Sequence, residues 1–129
     1  MDKLINIKIE DFKQAFNKLI QATELEYSDI VRDSVLLRFE LTSELAWKTV
    51  KIYLEDKFQV ESPYPATVYR EIGKTNLFSP DEIEVALEMV YDRNRMVHDY
   101  NQEWVDLLYK KVLKNYVPLL EKILKVVSG

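Results

Sequence analysis

The chain contains almost no glycine: its 129 residues include two, Gly73 and Gly129, together with four prolines. Sheet proteins reverse direction often and use glycine in their tight turns, and phosphate-cradling loops need several glycines close together. Long helices joined by a few connections need neither. The scarcity of glycine therefore predicts an all-helical protein.

Four long stretches repeat apolar residues at the spacing of an α-helix, and the connections between them are short. These stretches run over about 9–25, 28–58, 80–98 and 102–127. A shorter helix is predicted over 66–72, with Gly73 as a left-handed C-cap. The pattern predicts an antiparallel four-helix bundle with one additional short helix, in a single domain covering 1–129.

Capping residues support the predicted helix ends. Ser28 is a candidate N-cap for the second helix, and Ser79 with Glu82 forms a capping box around a proline at the first helical position. Asn101 can cap the last helix, which Pro118 should kink because proline donates no backbone hydrogen bond. The second helix is apolar on more than one face, which predicts that it packs inside the bundle and also against another subunit.

Composition excludes several classes of function. Hydrophobic residues make up 47% and charged residues 31%, which is a globular balance. The chain has no cysteine, so neither a disulfide nor a thiolate metal site is expected. No apolar run approaches the roughly 18 residues that cross a bilayer, and no signal peptide is evident, so we expect a cytoplasmic protein without a membrane partner. The net charge of −4 disfavours broad nucleic-acid coating, and no DNA partner is expected.

A helical wheel separates three faces of the stretch 80–98. The predicted core face carries Ile83, Ala86, Leu87, Val90, Asn94 and Val97, with His98 at its margin. The predicted solvated face carries Glu84, Glu88, Asp92, Arg95 and Asp99. The third face is a mixed strip of Val85, Met89, Arg93, Met96 and Tyr100. The candidate functional residues Arg93, Asn94, His98 and Tyr100 thus gather at one end of the helix.

Two interpretations of this cluster remain open. In the first, Asn94 and His98 tie helices together and Arg93 pairs with a carboxylate. In the second, the cluster is catalytic: His98 is the only histidine, the side chain whose ordinary pKa is near neutrality, and Arg93 can hold a phosphate. RNA brings its own 2′-hydroxyl nucleophile, so its cleavage needs only proton transfer and charge stabilisation.

Metal and cofactor chemistry find little support in the sequence. Bundle di-iron sites use paired Glu-x-x-His motifs, and the residue three positions before His98 is Arg95. Glu40 and Glu44 lie one turn apart, and they are expected to pair with Arg38 or Lys48 around their helix rather than to bind a metal. No nucleophile-elbow motif is present. We therefore expect no cofactor and no metal.

The residues of this cluster resemble a known motif. Arg93, His98 and Tyr100 are similar to the Arg-x4-His-x-Tyr motif of the HEPN superfamily (higher eukaryotes and prokaryotes nucleotide-binding). The blocks 32–35 (RDSV) and 38–48 (RFELTSELAWK) resemble the nucleotidyltransferase substrate-binding protein family within it. The resemblance covers nearly the whole chain. It departs from the family pattern at 74–78, where a glycine-containing turn is expected, and at Val97.

This resemblance implies a homodimeric helical bundle that works with a minimal nucleotidyltransferase (MNT). In toxin–antitoxin pairs of this kind the HEPN member is a metal-independent RNase that its partner silences by adenylylation. Carried over to this chain, His98 handles the proton, Arg93 holds the scissile phosphate, Asn94 positions one of them, and Tyr100 accepts AMP. The alternative is a non-catalytic subunit that binds a nucleotide or substrate for the transferase, and a helical scaffold without a ligand stays open as well.

Two chains facing each other would bring two sets of Arg93 and His98 into one cleft. The sequence suggests Met89, Met96 and Tyr100, with the second apolar face of the Trp47 helix, as the dimer contact. Burial of Trp47 in the core of one chain is the alternative.

Overall fold

The computed structural model describes residues 2–98 and 100–129. Its α-helices are α1 (Asp2–Thr23), α2 (Asp29–Phe58), α3 (Pro65–Ile72), α4 (Pro80–His98), α5 (Gln102–Lys111) and α6 (Val117–Ser128). A 3-10 turn (Gly73–Thr75) follows α3, and a π-helical segment (Val112–Tyr116) connects α5 to α6. The prediction of an all-helical bundle is confirmed, and no strand occurs within the described ranges.

Helix α2 lies at the centre of the bundle and packs against all five other α-helices. This position explains why its apolar residues occupy several faces, because each face meets a different neighbour. The fully buried large side chains include Phe12 of α1, Phe39 of α2 and Tyr116 of the π-helical segment. The rings of Phe39 and Tyr116 stack with their centroids 5.4 Å apart. None of the described helices is long and apolar enough to cross a bilayer.

The predicted capping residues occupy the helix ends as expected. The Ser28 hydroxyl accepts the backbone N–H three residues on, at 3.1 Å, and the Asn101 amide oxygen does the same for α5 at 3.0 Å. The Ser79 backbone N–H donates to Glu82 at 2.7 Å, and the Glu82 N–H donates to the Ser79 hydroxyl at 3.1 Å. Each such cap contributes about 1 kcal/mol to stability. Together they fix where α2, α4 and α5 begin.

The predicted left-handed cap at Gly73 is wrong. Gly73 has φ −63° and ψ −21°, and the chain continues from it into the 3-10 turn. The left-handed residue is Asn76, with φ 65°, where that turn ends. A Cβ at position 73 would lie 3.1 Å from Cγ1 of Ile83, a tight contact that would require the Ile83 side chain to shift. The constraint is therefore packing of α3 against α4.

The irregularity predicted at Pro118 takes the form of the π-helical segment. In this segment the backbone N–H of Val117 bonds to the carbonyl oxygen of Val112, five residues earlier. Pro118 follows directly, at the start of α6, where its missing N–H matters least. At the other end of the chain, α1 begins earlier than predicted because Ile5 and Ile9, one turn apart, both pack against the core.

Candidate functional site

The face of α4 that meets the core differs from the prediction. The buried residues of α4 are Ala86, Met89, Asp92 and Met96. Val97, predicted in the core, is 65% exposed, and Asn94 and His98 are exposed with it. The prediction follows the aliphatic residues, whereas the helix is rotated so that two methionines and an aspartate face inward. As a result, the side chains of Asn94 and His98 are open to solvent.

The prediction of Asp92 on the solvated face of α4 is wrong, because the residue is 3% exposed. Its carboxylate accepts hydrogen bonds from Lys111, at 2.7 Å, and from the Tyr116 hydroxyl. Lys111 also pairs with Glu88 at 3.1 Å. Burial, together with the hydrogen bond to Asp92, raises the pKa of Tyr116 above its ordinary value. This network ties α4 to α5 and the π-helical segment directly beside Arg93.

Arg93 is half-buried and pairs with Glu44 of α2, with 3.1 Å between Nη2 and Oε1. Glu44 is itself fixed by Lys48, at 3.1 Å, and by the indole N–H of Trp47, at 3.2 Å. Burial alone would raise the pKa of Glu44, but these hydrogen bonds and the nearby Arg93 lower it below the ordinary value. The carboxylate is therefore an ionised and well-anchored partner. Arg93 thus pairs with a carboxylate, as in the first interpretation, but Asn94 and His98 are exposed rather than buried between helices as that interpretation required. Of the pairings expected for Glu40 and Glu44, that of Glu44 with Lys48 is confirmed, whereas Arg38 donates to the carbonyl oxygen of Lys18.

A small cavity of about 20 Å³ lies beside this ion pair. It is lined by Ser43, Glu44, Trp47, Pro65, Tyr69, Met89, Val90, Arg93 and Asn94. Residues of helices α2, α3 and α4 thus all line this cavity. Trp47 lines it as a half-buried side chain packed against the core, in agreement with the alternative given for this residue.

Asn94 and His98 are one turn apart on the exposed side of α4, a spacing at which side chains are neighbours. His98 is the last residue of the helix, where the dipole favours a cationic group. Arg93 and Asn94 line the same cavity, whereas His98 is not among the residues lining it. Asp99, assigned by the wheel to the solvated face, lies outside the described residues.

Tyr100 lies between α4 and α5 and is 53% exposed. Partial burial and the nearby carboxylates of Asp33 and Glu40 raise its pKa, while Arg32 acts in the opposite direction. The phenol is therefore neutral near pH 7. These electrostatic neighbours all belong to α2, so the motif tyrosine lies near the N-terminal half of the central helix.

A buried arginine anchors this region. Arg32 is 4% exposed and pairs with Asp33 and with Asp106 of α5, both at 3.0 Å. The Tyr27 hydroxyl donates to the same Asp106 carboxylate at 2.9 Å. Hydrogen bonds to Asp106 and Asp33 raise the pKa of Arg32, which therefore stays charged. The network joins the start of α2 to α5. These two helices lie before and after Tyr100 in the sequence.

These geometries supply an exposed imidazole, an anchored guanidinium and an accessible phenol. An imidazole can transfer protons, a guanidinium can bind a phosphate, and a phenol can accept a transferred group. Within 2–98 and 100–129, no group of three or more His, Cys, Asp or Glu side chains is arranged to hold a metal ion.

Residues 7–128 match the family model described as "nucleotidyltransferase substrate binding protein like". The chain belongs to this family. No curated protein sequence matches it.

Solved structures agree with this membership in the nucleotidyltransferase substrate-binding family. A crystallised protein from Thermus thermophilus is 32% identical, with a TM-score of 0.85 over 92% of this chain and 99% of that one. A chain of the complex between a tri-AMPylated Shewanella oneidensis HEPN toxin and an MNT antitoxin is 19% identical, with a TM-score of 0.77 over 99% and 98%. A chain of a toxin–antitoxin structure with AMP-PNP is 19% identical, with a TM-score of 0.77 over 100% of this chain and 99% of that one. The last two establish a shared fold.

In this member of the nucleotidyltransferase substrate-binding family, several residues around the motif escape sequence reasoning. The sequence assigns Glu44 to Arg38 or Lys48, places Asp92 in solvent and gives Tyr69 no role in the site. Helical periodicity gives the position of a residue around its own helix but not the neighbour that it meets. One signal for Glu44 is present, because it falls within the block 38–48 that carries the family resemblance.

Proposed function

We propose that this chain is the HEPN-type partner of a minimal nucleotidyltransferase and acts as a metal-independent RNase toxin in a toxin–antitoxin pair. The partner silences it by adenylylation of Tyr100, and both work in the cytoplasm. The observation that carries the proposal is the Arg93 guanidinium anchored by Glu44, with Asn94 in the same cavity lining and an exposed His98 at the end of the same helix, within a fold shared with a tri-AMPylated HEPN toxin bound to its MNT antitoxin.

The proposed reaction is attack by the 2′-oxygen of RNA on the adjacent phosphorus. The 2′-hydroxyl loses its proton as the new O–P bond closes a 2′,3′-cyclic phosphate, the bond to the 5′-oxygen breaks, and that 5′-oxygen on the leaving strand takes up a proton. His98 transfers the proton, which typically contributes about 10²–10⁴-fold to the rate. Arg93 binds the phosphate and stabilises its developing charge, and Asn94 positions one of the two. The ion pair with Glu44 supports this role because it holds the guanidinium in place before RNA arrives.

The proposed silencing step is attack by the phenolic oxygen of Tyr100 on the α-phosphorus of ATP held by the transferase. An O–P bond forms, the bond between the α- and β-phosphates breaks, pyrophosphate leaves, and the phenolic proton is lost. The exposure of Tyr100 supports access by a partner enzyme. Because partial burial and the carboxylates of Asp33 and Glu40 raise the pKa of this phenol, its proton must be removed by a base as the O–P bond forms. The added AMP would exclude RNA through its bulk and negative charge.

We propose that the chain acts as a homodimer through an apolar face of α2, the Trp47 helix that the sequence suggests, but without the two methionines that it also suggests. Met89 and Met96 are buried within one chain and cannot contact a second. The large exposed apolar residues of α2 are Ile30, Leu37, Leu41 and Phe58. Leu37 and Leu41 share a face of the helix with Asp33 and Glu40, the carboxylates near Tyr100. A contact on this face would bring the motifs of two chains together.

The deciding experiment compares the parent chain with His98→Ala, each expressed alone and purified. We expect growth arrest and RNA ending in cyclic phosphate with the parent only. Cleavage that persists in His98→Ala would remove this histidine from the mechanism. Absence of arrest and of cleavage with both chains would favour the second candidate.

That second candidate is a non-catalytic subunit that presents a nucleotide or substrate to the transferase. It is favoured by the net charge of −4, which is unfavourable for binding RNA, and by the description of the matching family. It predicts that the chain lowers the KM of the transferase for its substrate while RNA remains intact. Titration of the transferase with the purified chain measures this effect.

A further inference from the structure

Tyr69 of α3 is buried in an unusual way. The residue is 1% exposed, and its hydroxyl oxygen has no hydrogen-bond partner among the described residues. Nearly all buried hydroxyl groups in folded proteins are hydrogen-bonded, to protein or to an ordered water molecule. Burial raises the pKa of Tyr69, so the hydroxyl keeps its proton and can donate as well as accept. The position calls for a hydrogen-bonding partner.

Arg93 presents a second group of the same kind. Its Nε–H is buried and has no acceptor within the described ranges, although Nη2 of the same guanidinium pairs with Glu44. An arginine Nε–H is a donor only, so whatever satisfies it must be an acceptor. These are the two buried side-chain polar atoms without a partner in the described part of the chain.

Both residues line the same cavity between α2, α3 and α4. The cavity volume of about 20 Å³ exceeds the space that a single water molecule requires, but it is too small for a nucleotide. An enclosed water molecule also requires two or more polar partners. Ser43, which is 6% exposed, and Asn94 line the cavity and add further polar groups.

We propose that this cavity binds one structural water molecule, which accepts a hydrogen bond from Arg93 Nε and is hydrogen-bonded to the Tyr69 hydroxyl. The water connects α3 to α4 and gives the guanidinium of Arg93 a second fixed point, in addition to Glu44. Tyr69 is thereby a positioning residue for Arg93, acting through the water. The proposal rests on Tyr69, Arg93 and their common cavity, and it holds whether or not the chain cleaves RNA.

Crystal structures of the full chain and of Tyr69→Phe, at a resolution that reveals ordered water, test the proposal. In the parent, one density peak should lie about 2.7–3.2 Å from both atoms. It should disappear in Tyr69→Phe, because the substitution removes one of the two hydrogen bonds that hold the water at this position. The matched control is Tyr91→Phe, which removes the hydroxyl of an exposed tyrosine on α4 and should leave the peak in place. An empty cavity in the parent, or a peak that survives in Tyr69→Phe, would overturn the proposal.

Nuclear magnetic resonance of the guanidinium provides a second readout in solution. The parent should give a cross-peak between the Arg93 Nε–H proton and a long-lived water, and Tyr69→Phe should lose it and shift that proton upfield. A tyrosine that only fills space would leave the resonance where it is. If RNA cleavage is observed in the parent, Tyr69→Phe should lower kcat about fivefold, the change that loss of one hydrogen bond produces. Loss of the cross-peak without any RNA cleavage in the parent would support the water site and contradict the proposed RNase function.

Discussion

Glu44 Oε1 lies 3.1 Å from Arg93 Nη2, which joins the central helix α2 to the motif helix α4. Lys48 and the indole of Trp47 hold the same carboxylate from α2, so the position of Arg93 is set by a residue that is itself anchored. An arginine restrained in this way needs little reorganisation when it meets a phosphate. Glu44 therefore acts on the candidate site through Arg93.

The strength of this pair can be measured with a double-mutant cycle of Glu44→Gln and Arg93→Gln. We expect a coupling free energy of about 0.5–1 kcal/mol in urea unfolding, because both side chains are partly exposed and screened by solvent. Raising the salt concentration should reduce it. The folded-state pKa of Glu44 is lowered, so its contribution is present above the ordinary carboxyl pKa and is lost as the pH falls through the lowered value. A coupling that stays constant in acid would contradict this.

Asp92→Asn should destabilise the fold by about 2–3 kcal/mol, because it removes a buried charge that accepts from Lys111 and Tyr116. Thermal or urea unfolding measures the loss. Glu84→Gln, on the exposed side of the same helix, is the control and should change stability by less than about 0.5 kcal/mol. Equal effects of the two substitutions would mean that Asp92 is not a buried anchor.

His98→Ala should lower the rate of RNA cleavage by about 10²-fold or more, the usual contribution of a group that transfers protons. Stability should change little because the side chain is exposed. Val97→Ala removes an exposed neighbour on the same helix and should cleave at the parent rate. Single-turnover cleavage of a defined RNA measures the difference. Similar rates for the parent and His98→Ala would assign the proton transfer to another residue.

Tyr100→Phe should abolish addition of AMP by the partner transferase, because the accepting oxygen is absent, while RNA cleavage is retained. Intact mass spectrometry after incubation with the transferase and ATP counts the AMP units. Tyr91→Phe, which alters another exposed tyrosine, should be labelled like the parent. Undiminished labelling of Tyr100→Phe would show that the acceptor lies elsewhere.

Leu37→Asp should convert a dimer into monomers, since it introduces a charge into the exposed apolar face of α2. Sedimentation analysis of the purified chain measures the mass in solution. Leu107→Asp changes a similarly exposed leucine on α5 and should leave the dimer intact. A dimer that survives Leu37→Asp, or a parent chain that is already monomeric, would contradict the proposed contact.

Structural features that depend on residues close together in the sequence are predicted well. The caps at Ser28, Ser79 and Asn101 depend on backbone groups a few residues away, so their side chains are sufficient to identify them. The bundle follows equally from the helical spacing of apolar residues.

Features that depend on which helices meet could not be predicted in the same way. Asp92 is buried because Lys111 and Tyr116 approach it from the end of α5 and the π-helical segment. Gly73 is small because Ile83 of α4 packs against it, rather than because a turn requires it. The partner of Arg93, Glu44, lies on α2, far away in sequence, and the cavity beside the pair is also lined by α3; no periodicity within α4 indicates either. The motif thus locates the candidate site in the sequence. The residues that other helices place around it can be identified only from the fold.

The π-helical segment has a consequence for how the chain can vary. A π-helical turn carries one residue more than the α-helical turn it replaces, and each residue rotates a helix by about 100°. Loss of one residue from 112–116 would therefore turn the whole of α6 about its axis and move Leu120 and Ile123, both buried, out of the core. The additional residue rotates α6 relative to α5. The apolar faces of both helices can therefore meet the same bundle core, although they lie at different angles around the common axis. Insertions and deletions in this family should consequently be tolerated in the connections between helices but not in this turn.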